Sequence, residues 1–320
     1  MDGAIRGERR LDEAERLELM VRAAELYHEF GLTQEQVAVH LGVSRPTVSR
    51  LLQKAREVGV VRITVVNPAS RVHELERRLV DAYGLHDAVV VPTAVTGREL
   101  VAKKLGVAGA RYLERHLPSR NRLGVGLGHT VYQVAHALEA VRLDPEVIPL
   151  TGGIVFSEAV YQVNEIARQF AEKLGGRCHY LHAPAEIASQ ELYDALMADP
   201  RVVEVVTLWD ELDWAVIGIG STHNPQSAHF EQFIRSVEET GARPVADLCR
   251  NLIDQHGALV NNRTVRLLAA SLEQFRNARR VVAIAGGAGK VEAIRAALCT
   301  GVIDVVITDE LAAAGVLSTQ

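Results

Sequence analysis

TQEQVAVHLGVSRPTVSRLLQKAR, residues 33–56, is the stretch that decides how the N-terminal part of this chain is read. Thr33 and Gln36 have the spacing of a capping box, so a helix can open there with its first amides satisfied. Val37, Ala38 and Leu41 give that helix an apolar face, and Gly42 supplies a tight exit. Val43 points inward, and Ser44-Arg45-Pro46 opens a second helix with proline in its first turn, where its missing N–H does no harm. Val48, Leu51, Leu52 and Ala55 form the buried stripe of this second helix at helical period. Ser44, Arg45, Thr47, Ser49, Arg50 and Lys54 are left toward the exposed side. Across 44–56 the basic residues are Arg45, Arg50, Lys54 and Arg56, and there is no acidic residue. Two short helices joined by a glycine-containing turn make the helix-turn-helix layout, whose second helix meets base edges and phosphates in the major groove. A plain amphipathic helical hairpin is the competing reading.

Bulk properties set the frame. With 320 residues the chain has room for two or three domains and a large core. Its formal net charge of −5 does not advertise nucleic-acid binding. The basic signal is local, because Asp12, Glu13, Glu15 and Glu18 cancel the arginines beside them, and phosphate contacts depend on the local face. Cys178, Cys249 and Cys299 are isolated and show no metal-ligand spacing, which speaks against a structural metal and for a reduced cytoplasm. No apolar run approaches the length of a membrane span, and the charged N-terminus does not resemble a secretory leader.

Residues through about Gly7 read as disordered, and 11–30 as an amphipathic helix with Leu17, Met20, Val21, Ala24 and Tyr27 on one side. VVRITVV (60–66) alternates like a strand, and Asn67-Pro68 breaks the chain. These signals predict an all-α helix-turn-helix domain over 1–66, followed by a larger domain over 67–320, which the family resemblance below makes the effector-binding and oligomerisation domain. In the second part, helix 71–82 and strand 87–93 are followed by alternation. Strands are expected at 122–127, 146–150, 178–182, 214–219, 280–285 and 303–307. Helices are expected at 130–140, 158–174, around 189–206, 227–240, 263–276 and 290–298. Short β-rich apolar runs separated by helices imply a mainly parallel sheet covered on both faces, a three-layer α/β/α domain.

In open α/β sheets ligands lie in the crevice outside the carboxyl ends of the strands. Four strand-end segments carry glycine there: Gly124–Thr130 with Gly126, Gly128, His129 and Thr130; Pro149–Gly153 with Thr151, Gly152 and Gly153, followed by the helix carrying Asn164 and Arg168; Ile217–Gly220 with Gly218 and Gly220; and Ala285–Lys290 with Gly286, Gly287 and Lys290. Glycines let backbone amides approach an anion, and a helix N-terminus favours negative charge. Each segment alone is also explained as a tight turn that needs glycine. Together they predict a polar small-molecule site. Trp209 and Trp214 read as core residues, and His182, His223 and His229 share no ligand spacing. Asp309 either faces the crevice or caps the helix that follows it.

Over nearly its full length the chain resembles the SorC/DeoR-type family of sugar-sensing bacterial transcription regulators. The resemblance is carried by LTQEQVAVHLGVSRPTVSRLL (32–52), VGLGHT (125–130), PLTGG (149–153), Asn164 with its helix, GIG (218–220), AIAGGAGKVEAI (283–294) and VVITDELAA (305–313). It implies an effector domain related to sugar-phosphate isomerase and CoA transferase-like folds. It also implies a sugar, polyol or sugar-phosphate effector, double-stranded operator DNA as partner, a dimer or tetramer, and no cofactor. By position, effector contacts would fall on His129 and Thr130, on Thr151 with Gly152 and Gly153, on Asp247, and on Lys290. Thr151 stands where phosphate-sensing relatives can place an arginine, and no lysine occurs between Lys104 and Lys173. The competing reading is a sugar-phosphate isomerase-like enzyme with Asp247 or Asp309 as base beside Lys290. It leaves residues 33–56 without a purpose, and no nucleophile stands paired with a base.

Overall fold

A computed structural model describes residues 13–61, 71–92, 97–154, 161–223, 228–260 and 266–318. The chain divides into two compact units, Met1–Pro68 and Ala69–Gln320.

The smaller unit consists of α1 (Glu13–His28), α2 (Gln34–Leu41) and α3 (Arg45–Glu57), with α1 packed on both of the others. Its core is Met20, Ala23 and Ala24 from α1, Val37 and Ala38 from α2, and Val48, Leu52 and Ala55 from α3. The apolar stripe of α1 is narrower than its sequence suggests: Leu17 is 50% exposed, and the burial centres one turn later. The expected strand 60–66 falls, from residue 62 onward, outside the described residues, as do the first residues of the chain.

The larger unit opens with α4 (Arg71–Tyr83), β1 (Asp87–Val91) and α5 (Arg98–His116). Then come β2 (Arg122–Val125), α6 (His129–Ala137), β3 (Glu146–Pro149), α7 (Val163–Leu174), β4 (Arg177–Cys178) and β5 (Glu186–Ile187). They are followed by α8 (Gln190–Met197), α9 (Pro200–Thr207), β6 (Trp214–Gly218), β7 (Gly220–Ser221), α10 (Ala228–Glu238), β8 (Ala246–Leu248) and β9 (Asn251–Ile253). The unit ends with β10 (Arg266–Leu267), α11 (Leu272–Asn277), β11 (Arg280–Ile284), α12 (Val291–Cys299), β12 (Val305–Asp309) and α13 (Glu310–Ser318).

Seven strands form one sheet in the order β1-β12-β11-β6-β2-β3-β4, and each neighbouring pair is parallel. Successive strand residues face opposite layers. Val282 and Ile284 of β11 join a core with α5, α6 and α7, represented by Leu105, Val134 and Phe170. Val281 and Ala283 face a second core with α4, α9, α12 and α13, represented by Leu79, Val205, Ile294 and Val316. After β1 the chain builds outward through β2, β3 and β4, then returns to build the other way through β6, β11 and β12. The direction reverses between β2 and β6, and there the ends of adjacent strands leave a crevice. Trp209 and Trp214 are buried, as their sequence context suggested.

Besides strand 178–182, of which only Cys178 lies in β4, three elements depart from the expectations. Helix α5 was not anticipated, because Gly106 and Gly109 dilute its helical signal. The space explains them: a Cβ at Gly106 would lie 2.6 Å from backbone atoms of Gln133 on α6. In place of a helix over 263–276 there are β10, paired antiparallel with β5, and the short α11; residues 261–265 lie outside the described set. The third departure is a small antiparallel sheet, β7-β8-β9, after β6. Its β8–β9 hairpin turns on Cys249 and Arg250 with φ of 50° and 70°. A two-residue turn of this kind needs positive φ at both central positions, where glycine or asparagine is usual. Among the described residues no helix is long and apolar enough to cross a membrane.

Candidate functional site

In the smaller unit the caps form as the sequence suggests. Thr33 and Gln36 make a reciprocal capping box, with Thr33 N–H donating to Gln36 Oε1 at 2.9 Å. Gly42 closes α2 with φ 65°, a left-handed conformation that suits glycine. Ser44 caps α3, accepting from Thr47 N–H at 3.4 Å, and its hydroxyl meets the Thr47 hydroxyl at 2.8 Å. Ser44 and Thr47 are therefore partly committed to holding the helix entrance. Arg45, Ser49 and Arg50 stand exposed on one side of α3. Lys54 pairs with Glu57 at 3.1 Å, which offsets its charge. Gln53 was missed in the sequence reading. It is exposed one turn beyond Ser49 and Arg50, and the same three-to-four-residue spacing could have found it.

In the larger unit a cavity of about 130 Å³ opens at the reversal point of the sheet. It is roughly ten times the ~10–15 Å³ that one water needs. The segment after β2 contributes Gly128, His129 and Thr130. The end of β6 and the start of β7 contribute Gly218, Gly220 and Ser221, and the turn after β11 contributes Gly286 and Lys290. Asp247 enters from β8, directly opposite Gly220, where a Cβ would approach its own Cβ to 3.0 Å. Lys290 reaches across the crevice, its Nζ donating to Ile219 O at 2.5 Å.

Electrostatically the pocket is tense. Burial pushes the Asp247 carboxyl up to about 7, against a hydrogen bond from Arg250 N–H and the nearby Lys290 ammonium. Its Oδ1 has no hydrogen-bond partner among the described residues. Burial also lowers Lys290 to about 8, helped by the positive charge of Arg98 and opposed by Asp247. Arg250 is 2% exposed, ion-paired with Glu186, and stacked 4.9 Å and 4.4 Å from the ring centroids of Phe230 and Phe233. Cys249 is buried in the same wall, and burial pushes its thiol far from the reactive thiolate form. Among the described residues no group of three or more His, Cys, Asp or Glu is arranged to hold a metal ion.

Eight anticipated residues thus converge: Gly128, His129, Thr130, Gly218, Gly220, Asp247, Gly286 and Lys290. Others fall outside the cavity lining. Gly126 lies beneath it, with Cys249 Sγ 2.9 Å from where its Cβ would be. Thr151 is fully buried and donates to Gly152 O at 3.0 Å. Gly152 N–H is used by Leu268 O and Gly153 N–H by Ala183 O, both at 2.8 Å. The chain after β3 pairs instead with the segments that follow β4 and β10, which engage its amides. Asn164 donates to and accepts from the backbone of Leu181, both at 3.1 Å, pinning the chain after β4. Arg168 spends its guanidinium on Glu165 and Glu172 at the helix surface. Gly287 adopts φ 96° and gives its N–H to Asp309. The residues missed include Arg98, Ser221, Phe230, Cys249 and Arg250, together with apolar lining from Val101, Ala102, Leu105 and Ile154. Only Arg98 left a trace, as a cation opening a helix after a strand.

Residues 67–318 match the sugar-binding domain family (Sugar-bind). The chain belongs to the SorC/DeoR-type family of sugar-binding transcriptional regulators. Residues 13–77 match the Crp-like helix-turn-helix domain. The Sorbitol operon regulator of Klebsiella pneumoniae is 30% identical over 306 residues, covering 93% of this chain and 97% of the relative. The Deoxyribonucleoside regulator of Bacillus subtilis (strain 168) is 28% identical over 305 residues, covering 92% and 96%. The crystal structure of the full-length Sorbitol Operon Regulator SorC from Klebsiella pneumoniae superposes with a TM-score of 0.80 at 28% identity. It covers 95% of this chain and 98% of that one. This SorC/DeoR-type chain is a DNA-binding transcriptional regulator that answers to a ligand of the sugar class.

Proposed function

We propose that the cavity at the reversal point binds a polyhydroxylated ligand carrying an anionic group, a sugar or polyol phosphate, and that occupancy sets the affinity of α3 for operator DNA. The supporting observation is the meeting of Asp247, Lys290 and Arg98 in one crevice. An unpartnered carboxylate oxygen suits a hydroxyl donor. Two cations that repel each other suit an anion placed between them. Thr151 being fully buried, an anion here relies on those two cations and on the amides of the turns opening α6 and α12.

Relatives named for sorbitol, deoxyribonucleoside and erythritol systems accord with the hydroxyl-bearing part of such a ligand, and the anionic group is argued from Lys290 and Arg98. The ligand is bound and released unchanged. Asp247 accepts a hydroxyl without acting as a base, and Cys249 stays a thiol. The division into a DNA-reading part over 1–66 and an effector part over 67–320 follows from the same reading. So does a cytoplasmic dimer or tetramer, whose paired α3 helices would read two half-sites a whole number of helical turns apart. Arg45 and Arg50 would contact guanine edges or phosphates, with Ser49 and Gln53 beside them.

The test is a thermal-shift panel of sorbitol, erythritol and deoxyribose with their terminal phosphates, followed by a gel shift on DNA upstream of the gene. At one hundred times Kd a true effector stabilises by about 2.7 kcal/mol. A shift that is confined to the phosphates and lost in Lys290→Ala supports the reading. If Lys290→Ala responds fully to a phosphorylated hit, the anion site is elsewhere, and if the free polyols act equally well the effector is uncharged.

A further inference from the structure

Asp309 ends β12 at 1% exposure, and its carboxylate faces two ways. Oδ2 accepts the N–H of Gly287, in the turn that carries Gly286 and Lys290 into the pocket. Oδ1 accepts from Leu311 N–H at 3.1 Å and Ala312 N–H at 3.2 Å, the opening amides of α13. The turn has no slack against this carboxylate, because a Cβ on Gly286 would collide with Oδ2. On its other side α13 buries Ala312, Ala313, Val316 and Leu317 in one core with Leu75 and Leu79 of α4. It also lies so close to α12 that a Cβ on Gly315 would fall 2.7 Å from Val291 Cγ2. In chain order α4 is the first helix after the DNA-reading part.

We infer that Asp309 is a positioning residue that couples occupancy of the pocket to α13 and through it to α4; the inference rests on the pocket reading above. A ligand anion that draws the Lys290 ammonium off Ile219 O moves the turn after β11. The Gly287 amide carries the Asp309 carboxylate with it, and that carboxylate caps α13. The helix either follows or loses its cap. Close-packed helices respond to such a pull by shifting between discrete arrangements rather than by bending. The leverage equals the ligand's differential affinity for the two arrangements and no more.

A merely structural cap makes a different prediction, and asparagine separates the two. Asparagine caps helices as well as aspartate does. In Asp309→Asn one oxygen still serves Leu311 and Ala312, while the amide NH₂ meets the Gly287 N–H donor to donor.

The experiment is amide hydrogen exchange on the full chain. Lys290→Met is the probe, because it removes the link to Ile219 and reaches residue 309 only through the Gly287 amide. Lys290→Gln, which loosens the same link, is the second probe should the first fail to fold. Each is measured in the wild-type and Asp309→Asn backgrounds. The expected result is about threefold faster exchange over 311–318 and 71–83 in the wild-type background, with no spread beyond 285–290 when residue 309 is asparagine. Exchange changes confined to 285–290 in both backgrounds, or spreading equally in both, overturn the inference. The result does not depend on knowing the effector. Failure of the ligand panel would strike the pocket reading, and failure of this exchange pattern would strike the coupling.

Discussion

Replacing Asp247 by asparagine should stabilise the effector unit, and by an amount that depends on pH. The folded chain holds this carboxyl's proton up to about pH 7, against an ordinary value of 3.8. Below roughly pH 3.8 both folded and unfolded chains are protonated, and the group is silent. Between there and pH 7 only the unfolded chain releases the proton, so wild-type stability falls by about 1.4 kcal/mol per pH unit. Above pH 7 the loss levels off at about 4 kcal/mol. Asparagine has the same shape and no charge to bury, and the loss of about 4 kcal/mol is already net of the attraction to Lys290. The expected gain is therefore about 2–4 kcal/mol at pH 8, vanishing toward pH 4. Urea unfolding followed by tryptophan fluorescence reads this unit alone, since the chain's two tryptophans, Trp209 and Trp214, both lie in it. The same variant should lose affinity for the effector, because a carboxylate kept at the expense of stability is being kept for a ligand. A difference that is flat with pH, or a variant less stable than wild type at pH 8, would refute the assignment of a desolvated carboxyl to this wall.

Other outcomes follow from single contacts. Arg50→Ala should weaken operator binding by about 1–3 kcal/mol if it reads a base, whereas Arg45→Ala, if it touches only phosphate, should lower the slope of log K against log salt by about 1. Gel-shift titrations at several salt concentrations check both, and unchanged affinity in both variants would remove α3 from the groove. Gly106→Ala sets two effects against each other: helix propensity alone favours alanine by about 1 kcal/mol, while the new methyl would sit 2.6 Å from Gln133 backbone. Overpacking against backbone outweighs propensity, so the melting temperature should drop by about 4–8 °C for a net loss of about 2 kcal/mol. A higher melting temperature would mean that α5 and α6 can separate.

The parts legible in the sequence are those where a local signal and the tertiary demand coincide. The Thr33–Gln36 box, Gly42 and Ser44 act within one turn of themselves, so spacing alone places α2 and α3. Strands β6, β11 and β12 are apolar on both faces, as buried parallel strands must be, and read directly. Helix α5 was hidden because Gly106 serves a contact with Gln133, distant in sequence, at the expense of its own helix signal. The β8–β9 hairpin was hidden because Cys249 and Arg250 hold positive φ in place of the usual turn residues. Such strain survives only where the surroundings over-determine it, and it gathers at ligand sites. Here the surroundings are the Glu186 ion pair and the Phe230 and Phe233 rings gripping Arg250.

The division of the anticipated glycine turns follows from long-range backbone pairing, which spacing alone cannot supply. All four lie at carboxyl ends of parallel strands, and β3 and β11 stand equally one place out from the reversal point, yet only the turns after β2, β6 and β11 bring glycines to the cavity lining. The Thr151–Gly153 segment pairs instead with Leu268 and Ala183–Ala185. A cation at position 151 would thus sit behind the cavity wall, in a fully buried position with its nearby backbone groups already engaged. Of the three cations that line the cavity among the described residues, Arg250 is paired with Glu186, which leaves Arg98 and Lys290. Lys290 shares its turn with the Gly287 amide held by Asp309, so the residue best placed to feel an anion stands on the segment that α13 cannot ignore.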